Sequence, residues 1–329
     1  MPSPSTSIAT LRPDLAGCFT EFDLAMDRKG FIGQRVLPVF ETAEASGSFG
    51  RIPIEELLKA ADVDRAPGAE YSTGDWNFTT ETFATQERGH QNPVDDNEAK
   101  IYRHYFDAEQ ITAQRVLDVV LREQEKRAAA LIFDAATWTG AALTTGVTNE
   151  WDSNHKTDAV PINDVEGAVR YVWANSGIWP NALIINRTVF RNLRNIDQIV
   201  NRIESSGAGS PTKATDITAQ MLAEVFDLDY VIVAGSAKNT AKEGQSVSIA
   251  NVWSSEYAMV CRVAETNDIQ EPCIGRIMHW DEDGSSPGGT VESYRNEGRR
   301  SDMIRVRHQV QEKRLYTQMG HLLSNVTTL

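Results

Sequence analysis

The chain has 329 residues, 41% apolar and 24% charged, enough for one large domain or two ordinary ones with a real core. No apolar run approaches the length that spans a bilayer, and a formal net charge of −14 argues against a surface that grips nucleic acid, which needs clustered Lys and Arg. Three cysteines, Cys18, Cys261 and Cys273, are too few and too scattered for a disulfide framework or a zinc site, and read as buried thiols of a reducing compartment.

The opening "MPSPSTSIATLRPDLAG" has neither a basic start nor an apolar h-region, so no secretory signal is expected. Residues 1–47 hold few periodic segments and read as an arm, with "GQRVLPVFETAEASGSFGRIPI" promising extended pieces broken at Pro38, Gly47 and Gly50. "SFGRIPI" (48–54) is strand-like, and residues 55–75 carry the turn residues Pro67, Gly68 and Gly74. "WNFTTETFATQER" (76–88) then returns with Trp76, Phe78 and Phe83 among threonines. Residues 48–92 are therefore expected to form a long two-stranded ribbon with an irregular polar tip. A lone ribbon is marginal in water, so arm and ribbon share one need: neither has a core of its own.

From Asp107 to Trp138 the pattern turns helical, a rod of about 45–50 Å at 1.5 Å per residue. Leu117, Val120, Leu121, Gln124, Ala128, Leu131, Ile132 and Ala135 share one face, with Glu125 among the polar remainder. The alanine-rich end predicts close packing against a sheet or another helix. A Gly- and Thr-rich connection closes the segment 93–159.

Residues 160–265 read as an α/β block. "NDVEGAVRYVWANSG" is a helix capped by Asn163 or Asp164 and stopped at Gly177, followed by a buried strand in "WPNALIIN". "RTVFRNLRNIDQIVNRI" predicts a second helix, and "TDITAQMLAEVFDL" a third, capped at Thr215 or Asp216. "DYVIVAGS" is the next strand, and "VSIANVWSSEYAMVCRV" holds two more around a Ser-Ser turn. Residues 266–329 are β-rich, with strands in "GRIMHW", "TVESYRNEG" and "DMIRVRHQVQEKRL".

Three stretches invite a chemical reading. Asp95, Asp96, Glu98, His104 and Asp107 could hold a metal, but match no zinc or EF-hand spacing and read as a solvated acidic helix start. His155 beside Asp152 and Asp158 has no nucleophile elbow and reads as a polar loop. "GAGS" (207–210) and "GSSPGG" (284–289) match neither phosphate-binding glycine pattern. The basic run Arg295 to His308 alternates along a strand and reads as a charged sheet face or subunit contact. No catalytic, cofactor or metal constellation emerges.

The order of parts is arm, long β-excursion, long helix, α/β block and β-rich closing segment. It resembles the major capsid protein of tailed bacteriophages, the fold shared with encapsulins. The wording "DVEGAVRYVWANSGIWPNALIINRTVFRNLRN", "DITAQMLAEVFDLDYVIVAG" and "ANVWSSEYAMVCRV" is similar to that family as well. The resemblance implies an α+β fold with an N-terminal arm (1–47), an extended hairpin or E-loop (48–92) and a P-domain (93–159) carrying a spine helix (107–138). An A-domain (160–265) and a β-rich return through P- and A-domains (266–329) follow. It implies a non-enzymatic subunit without cofactors, assembling with itself into hexamers and pentamers of an icosahedral head. Scaffolding is expected to be a separate protein or absent, portal and decoration proteins would be separate where they are used, and packaged double-stranded DNA would lie nearby without sequence-specific contact. No membrane is involved, and the location is the virion, assembled in the host cytoplasm. Trp76, Phe78, Phe83, Arg65, Lys59, Arg299 and Arg300 are the expected inter-subunit contacts. Lys59 is the one lysine of the E-loop, but no partner for a family-type cross-link is identified. Two other readings stay open: an encapsulin-type compartment shell, and an α/β hydrolase or transferase with an accessory ribbon.

Overall fold

Two sheets and one long helix organise the chain. The computed structural model describes residues 10–11, 30–60, 63–75, 77–102, 107–205 and 217–328.

The first sheet is built around the fourteen-residue strand β14 (Ser301–Arg314). Along one edge β14 pairs antiparallel with β13 (Thr290–Asn296) and then with β12 (Gly275–Trp280). Its other edge takes β5 (Gln86–Asp95) over ten residues, from Val310↔Gln86 to Ser301↔Asp95. Two N-terminal strands complete it: β1 (Thr10–Leu11) on β13, and β2 (Val39–Thr42) parallel to β12. The second sheet runs β6 (Thr144–Gly146), β15 (Gly320–Ser324), β11 (Ala258–Cys261), β7 (Ala182–Asn186), β8 (Tyr230–Ala234), and β9 (Ala237–Asn239) and β10 (Ile249–Asn251) pair apart from it.

The central strands of the second sheet are buried on both faces, which explains their unbroken apolar wording. Leu183, Ile185, Ala258 and Val260 face a cluster made with helices α5 (Pro161–Ser176), α6 (Arg187–Leu193), α7 (Asp197–Ser205) and α8 (Ala219–Phe226). Ala182, Ile184, Met259 and Cys261 face the opposite way, toward α4 (Ala108–Ile132).

Helix α4 is the beam joining the two sheets. Its first half buries Ala113, Val116, Leu117, Val120 and Leu121 against Val291, Ile304 and Val306 of the first sheet. Its second half buries Ala128, Ala129 and Ile132 in the cluster shared with the second sheet. Asp107 caps the start, its side chain accepting from the N–H groups of Glu109 and Gln110. The helix ends at Ile132, six residues before the expected Trp138. The reason is local: Trp138 folds back, is buried, and donates its Nε1–H to the Ile132 carbonyl at 2.7 Å. Arg314 takes the neighbouring Leu131 carbonyl at 3.2 Å, so the last turn is satisfied from outside the helix. Ala135 accordingly lies beyond the helix and is exposed, and Leu131 is half-buried.

The polar face also holds a surprise. Glu125 is buried, and its carboxylate accepts from Ile32 N at 2.9 Å, Gly33 N at 2.7 Å and Trp253 Nε1 at 2.6 Å. One side chain thus ties the beam to the end of the arm and to a loop of the second sheet. It also replaces the extended segment expected there by a helical turn, α1 (Gly33–Val36). A Cβ at Gly33 would stand 2.7 Å from Glu125 Oε2, so a side chain there would have to displace the carboxylate from this contact. Burial pushes the Glu125 pKa above the ordinary 4.5, outweighing the hydrogen bonds that favour its charge. The folded state therefore binds more protons than the unfolded state just above pH 4.5, and this group's contribution to stability rises as pH falls through that window. In urea unfolding from pH 7 to 5, Glu125→Gln should lack this component; identical pH slopes in the two proteins would refute it.

Other expected elements shifted for nameable reasons. Helix α5 starts at Pro161 with Val160 as its cap residue, because Pro at the first position needs no N–H partner; Asn163 and Asp164 lie inside it. Its end at Gly177 is as expected, with φ +70°. The single helix expected over 187–203 is two, α6 and α7, broken at residues 194–196. Helix α8 is capped by Thr218, which accepts from Met221 N; Thr215 and Asp216 lie outside the described residues.

Candidate functional site

The ribbon is present as a hairpin of β3 (Ser46–Arg51) and β4 (Thr79–Ala84), paired from Ser46↔Ala84 to Arg51↔Thr79. The strand expected through Ile54 stops at Arg51, and Ile54–Leu57 form a short helical turn, α2, after Pro53. Between the strands lies a tip without regular pairing.

The root of the hairpin is anchored to the body of its own chain. Phe49 and Phe83, with ring centroids 6.5 Å apart, pack with Phe40, Ile269 and Tyr316 on Cys273, Met278 and Leu315. Arg51 pairs with Glu81 at 2.6 Å and lies over the Tyr316 ring, 4.3 Å from its centroid. Lys313 of β14 reaches Glu81 at 3.3 Å and the Thr82 carbonyl at 2.9 Å. Burial raises the Glu81 pKa, but hydrogen bonds from Arg51 and Lys313 outweigh it and hold the carboxyl below its usual range. Glu81→Ala should leave Arg51 and Lys313 without their shared acceptor and cost about 1 kcal/mol in urea unfolding, together with faster amide exchange in 46–51 and 79–84. Unchanged exchange in both strands would show that the ion pairs do not hold the root.

The tip has the opposite character. Ile52, Leu58, Val63, Tyr71 and Phe78 are exposed large apolar side chains within this one excursion. Arg65 bonds the Ala69 carbonyl at 2.6 Å and lies over Tyr71, so it rigidifies the tip locally. Lys59 is exposed, 3.9 Å from Glu56.

A second exposed aromatic group sits at the end of α5. Trp173 and Trp179 stack with centroids 5.7 Å apart, and Tyr171 stacks on His321 at 4.8 Å. The buried stripe of α5 is Pro161, Val165, Ala168, Val172 and Ser176, so Tyr171 and Trp173 point away from it. That off-stripe pairing of aromatics in "RYVWANSGIWP" was the overlooked sequence signal. Leu58 of the tip lies over this end of the helix, its Cδ1 2.9 Å from where a Gly177 Cβ would stand.

The expected contact residues do not converge. Phe78 is exposed on the hairpin, whereas Phe83 is half-buried in the root, against its own chain. Trp76 lies outside the described residues. Arg299 and Arg300 occupy the β13–β14 turn, with Arg300 at φ +48°. Since β5 spans the distance between that turn and the hairpin root, they stand about 30 Å from it at 3.3 Å per residue.

The stretches set aside as chemistry have structural roles. At the start of α3 (Asp96–Tyr102), Asp95 accepts from Asn97 N, and Asp96 forms a two-bond pair with Arg295 at 2.6 and 2.7 Å. His155 Nδ1 meets Asp152 at 3.0 Å in a surface turn, and His104 lies outside the described residues. On the first sheet, Glu292 bridges Arg305 and Arg307, and Arg307 reaches Asp283 at 2.5 Å, which makes the basic run a charged sheet face. Cys261 and Cys273 are buried, and burial pushes both thiols up, away from reactivity. Cys18 lies outside the described residues.

A concavity of about 430 Å³ between β5 and α4 is lined by Arg88, Glu123, Arg127 and His308 among others. Burial, with Arg127 nearby, lowers the His308 pKa from 6.5 to about 4. The unfolded state thus protonates first, and the stability this group contributes above pH 6.5 is lost as pH falls toward about 4. Unfolding free energy should drop by about 2–3 kcal/mol over that window on this account. His308→Gln should flatten the slope; an equal slope in the variant would exclude His308 as its source.

No family model matches the chain. It is 20% identical over 305 residues to the major capsid protein of Burkholderia phage BcepMu, covering 90% of this chain and 91% of the relative. A phage-related protein from Bordetella bronchiseptica superposes with a TM-score of 0.70 at 19% identity, over 97% of this chain and 98% of that one. The capsid structure of cyanophage P-SCSP1u gives 0.57 at 10% identity, over 88% and 86%. The fold is that of the tailed-phage capsid proteins. The similarity thus runs along most of both chains in each comparison.

Proposed function

We propose that the chain is the structural subunit of an icosahedral phage head, assembling with itself into hexamers and pentamers around packaged double-stranded DNA. The likeness to a phage major capsid protein along almost the whole of both chains carries this reading. The exposed apolar tip on a firmly anchored root supports it, because such a tip gains stability only when a second surface covers it. The acidic balance suits a wall that confines DNA without gripping it. A phage head is favoured over an encapsulin shell because the relative detected by sequence is a phage protein.

On this reading residues 1–47 are the arm, 48–92 the E-loop, and 93–159 with the closing strands the P-domain around its spine. Residues 160–265 with β15 form the A-domain. Phe78, Arg65 and Lys59 on the hairpin, and Arg299 and Arg300 on the β13–β14 turn, contact different neighbours. The subunit performs no catalysis. It ends in the virion after assembly in the host cytoplasm. Negative-stain microscopy of the purified protein, with its scaffold if one is encoded, is the test. Closed shells or capsomer rings are the expected result. A monodisperse small species under every assembly condition would overturn the reading.

A further inference from the structure

Strands β2 and β12 run parallel with Glu41 directly beside His279, so both side chains leave the same face of the sheet. Asp281 follows two residues after His279 and returns to that face as the chain turns. One ring nitrogen of His279 and one carboxylate oxygen each from Glu41 and Asp281 all lie within 4.8 Å of one another. The two carboxylates are exposed, but His279 is 1% exposed. Its Nδ1 has no geometrically sound hydrogen-bond partner, and the ring's contacts are with Ser285, a long 3.4 Å approach of Nε2 to Oγ and a weak one to the backbone. A buried imidazole nitrogen without a partner is costly unless something binds it.

We propose that His279, Glu41 and Asp281 bind one divalent transition-metal ion at the root of the hairpin. A nitrogen–oxygen set of this kind suits Zn²⁺, Co²⁺ or Mn²⁺ better than Mg²⁺, which prefers oxygen and water. Metal–ligand bonds of about 2.0–2.2 Å separate neighbouring ligand atoms by roughly 3–4 Å, so the two exposed carboxylates need only a small inward movement. With Nδ1 on the metal, Nε2–H donates to Ser285 Oγ, the outer contact that metal-bound histidines ordinarily make. The neighbouring Asp283 is already committed to Arg307, which leaves Glu41 and Asp281 as the anionic ligands. Solvent completes the coordination.

The position gives the ion a mechanical role. Glu41 lies five residues before β3, and Trp280 already ties this turn to the first sheet by donating to the Ala43 carbonyl at 3.0 Å. An ion between Glu41 and His279 would lock the strand that leads into the hairpin. The sequence carried no sign of the site, because its ligands come from opposite ends of the chain and meet only through β2–β12 pairing.

Calorimetry of the full chain with Zn²⁺, and the absorption of bound Co²⁺, test the proposal. Glu41→Gln and Asp281→Asn change exposed side chains, so both variants should fold. One Zn²⁺ per wild-type chain is expected, weakened at least about tenfold in each variant, with Co²⁺ bands characteristic of nitrogen and oxygen ligands lost in the double variant. Amide exchange across 39–44 should slow on addition of Zn²⁺ in the wild type and not in the double variant. No saturable Zn²⁺ binding below roughly 1 mM would overturn the proposal, as would binding that the double variant retains in full.

Discussion

Leu121→Asp should leave no folded subunit. Leu121 is 3% exposed on α4 and packs with Leu117, Val120, Ile304 and Val306, where the beam meets the first sheet. Removing it forfeits about 2–3 kcal/mol of apolar burial, and the new carboxylate adds several more for desolvation without a partner. Against a total of about 5–15 kcal/mol, that loss removes most or all of the native population. Far-UV circular dichroism and urea titration measure it. Val119→Asp is the control, since Val119 is 39% exposed on the same helix and its replacement should cost under about 0.5 kcal/mol. A cooperative transition for Leu121→Asp within about 1 kcal/mol of wild type would mean that α4 does not carry the core as described.

Deleting residues 60–74 should do the reverse: keep the subunit and abolish the shell. The deletion removes Val63 and Tyr71 at the tip but spares Phe49, Phe83, Arg51 and Glu81, which fix the root. Unfolding midpoints should therefore stay close to wild type, while sedimentation and microscopy show capsomers or monomers in place of shells. On the proposed reading each subunit would lose a contact repeated across the whole particle, so a modest loss per interface would multiply. Normal shells from the deleted protein would separate the tip from assembly altogether.

Much of the architecture was legible because it depends on local periodicity. The long amphipathic run from Asp107, the apolar strands "NALIIN" and "YVIVAG", and the glycine at 177 each announce an element whose cause lies within a few residues. Where the cause lay elsewhere, reading failed. Helix α4 stops at Ile132 because Trp138 and Arg314 take its last carbonyls. Glu125 looks like a surface residue by spacing, yet it is buried because Ile32, Gly33 and Trp253 supply three donors from distant parts of the chain.

The candidate contacts divide along the same line. That the ribbon lacks a core of its own follows from its composition, and the exposed Phe78 agrees with it. Phe83 reads identically in sequence, but the register of β3 on β4 turns it toward Phe49 and the root cluster. The stacked Trp173 and Trp179, and the grouping of Glu41, His279 and Asp281, likewise depend on how the elements pack. By itself, then, the sequence determined the kinds of element, their order and the segments that needed a partner, because these rest on side-chain periodicity and turn chemistry. Only the tertiary structure decided which carboxylate is buried, which phenylalanine is free and which ligands meet, because each depends on strand register and on donors contributed from far along the chain.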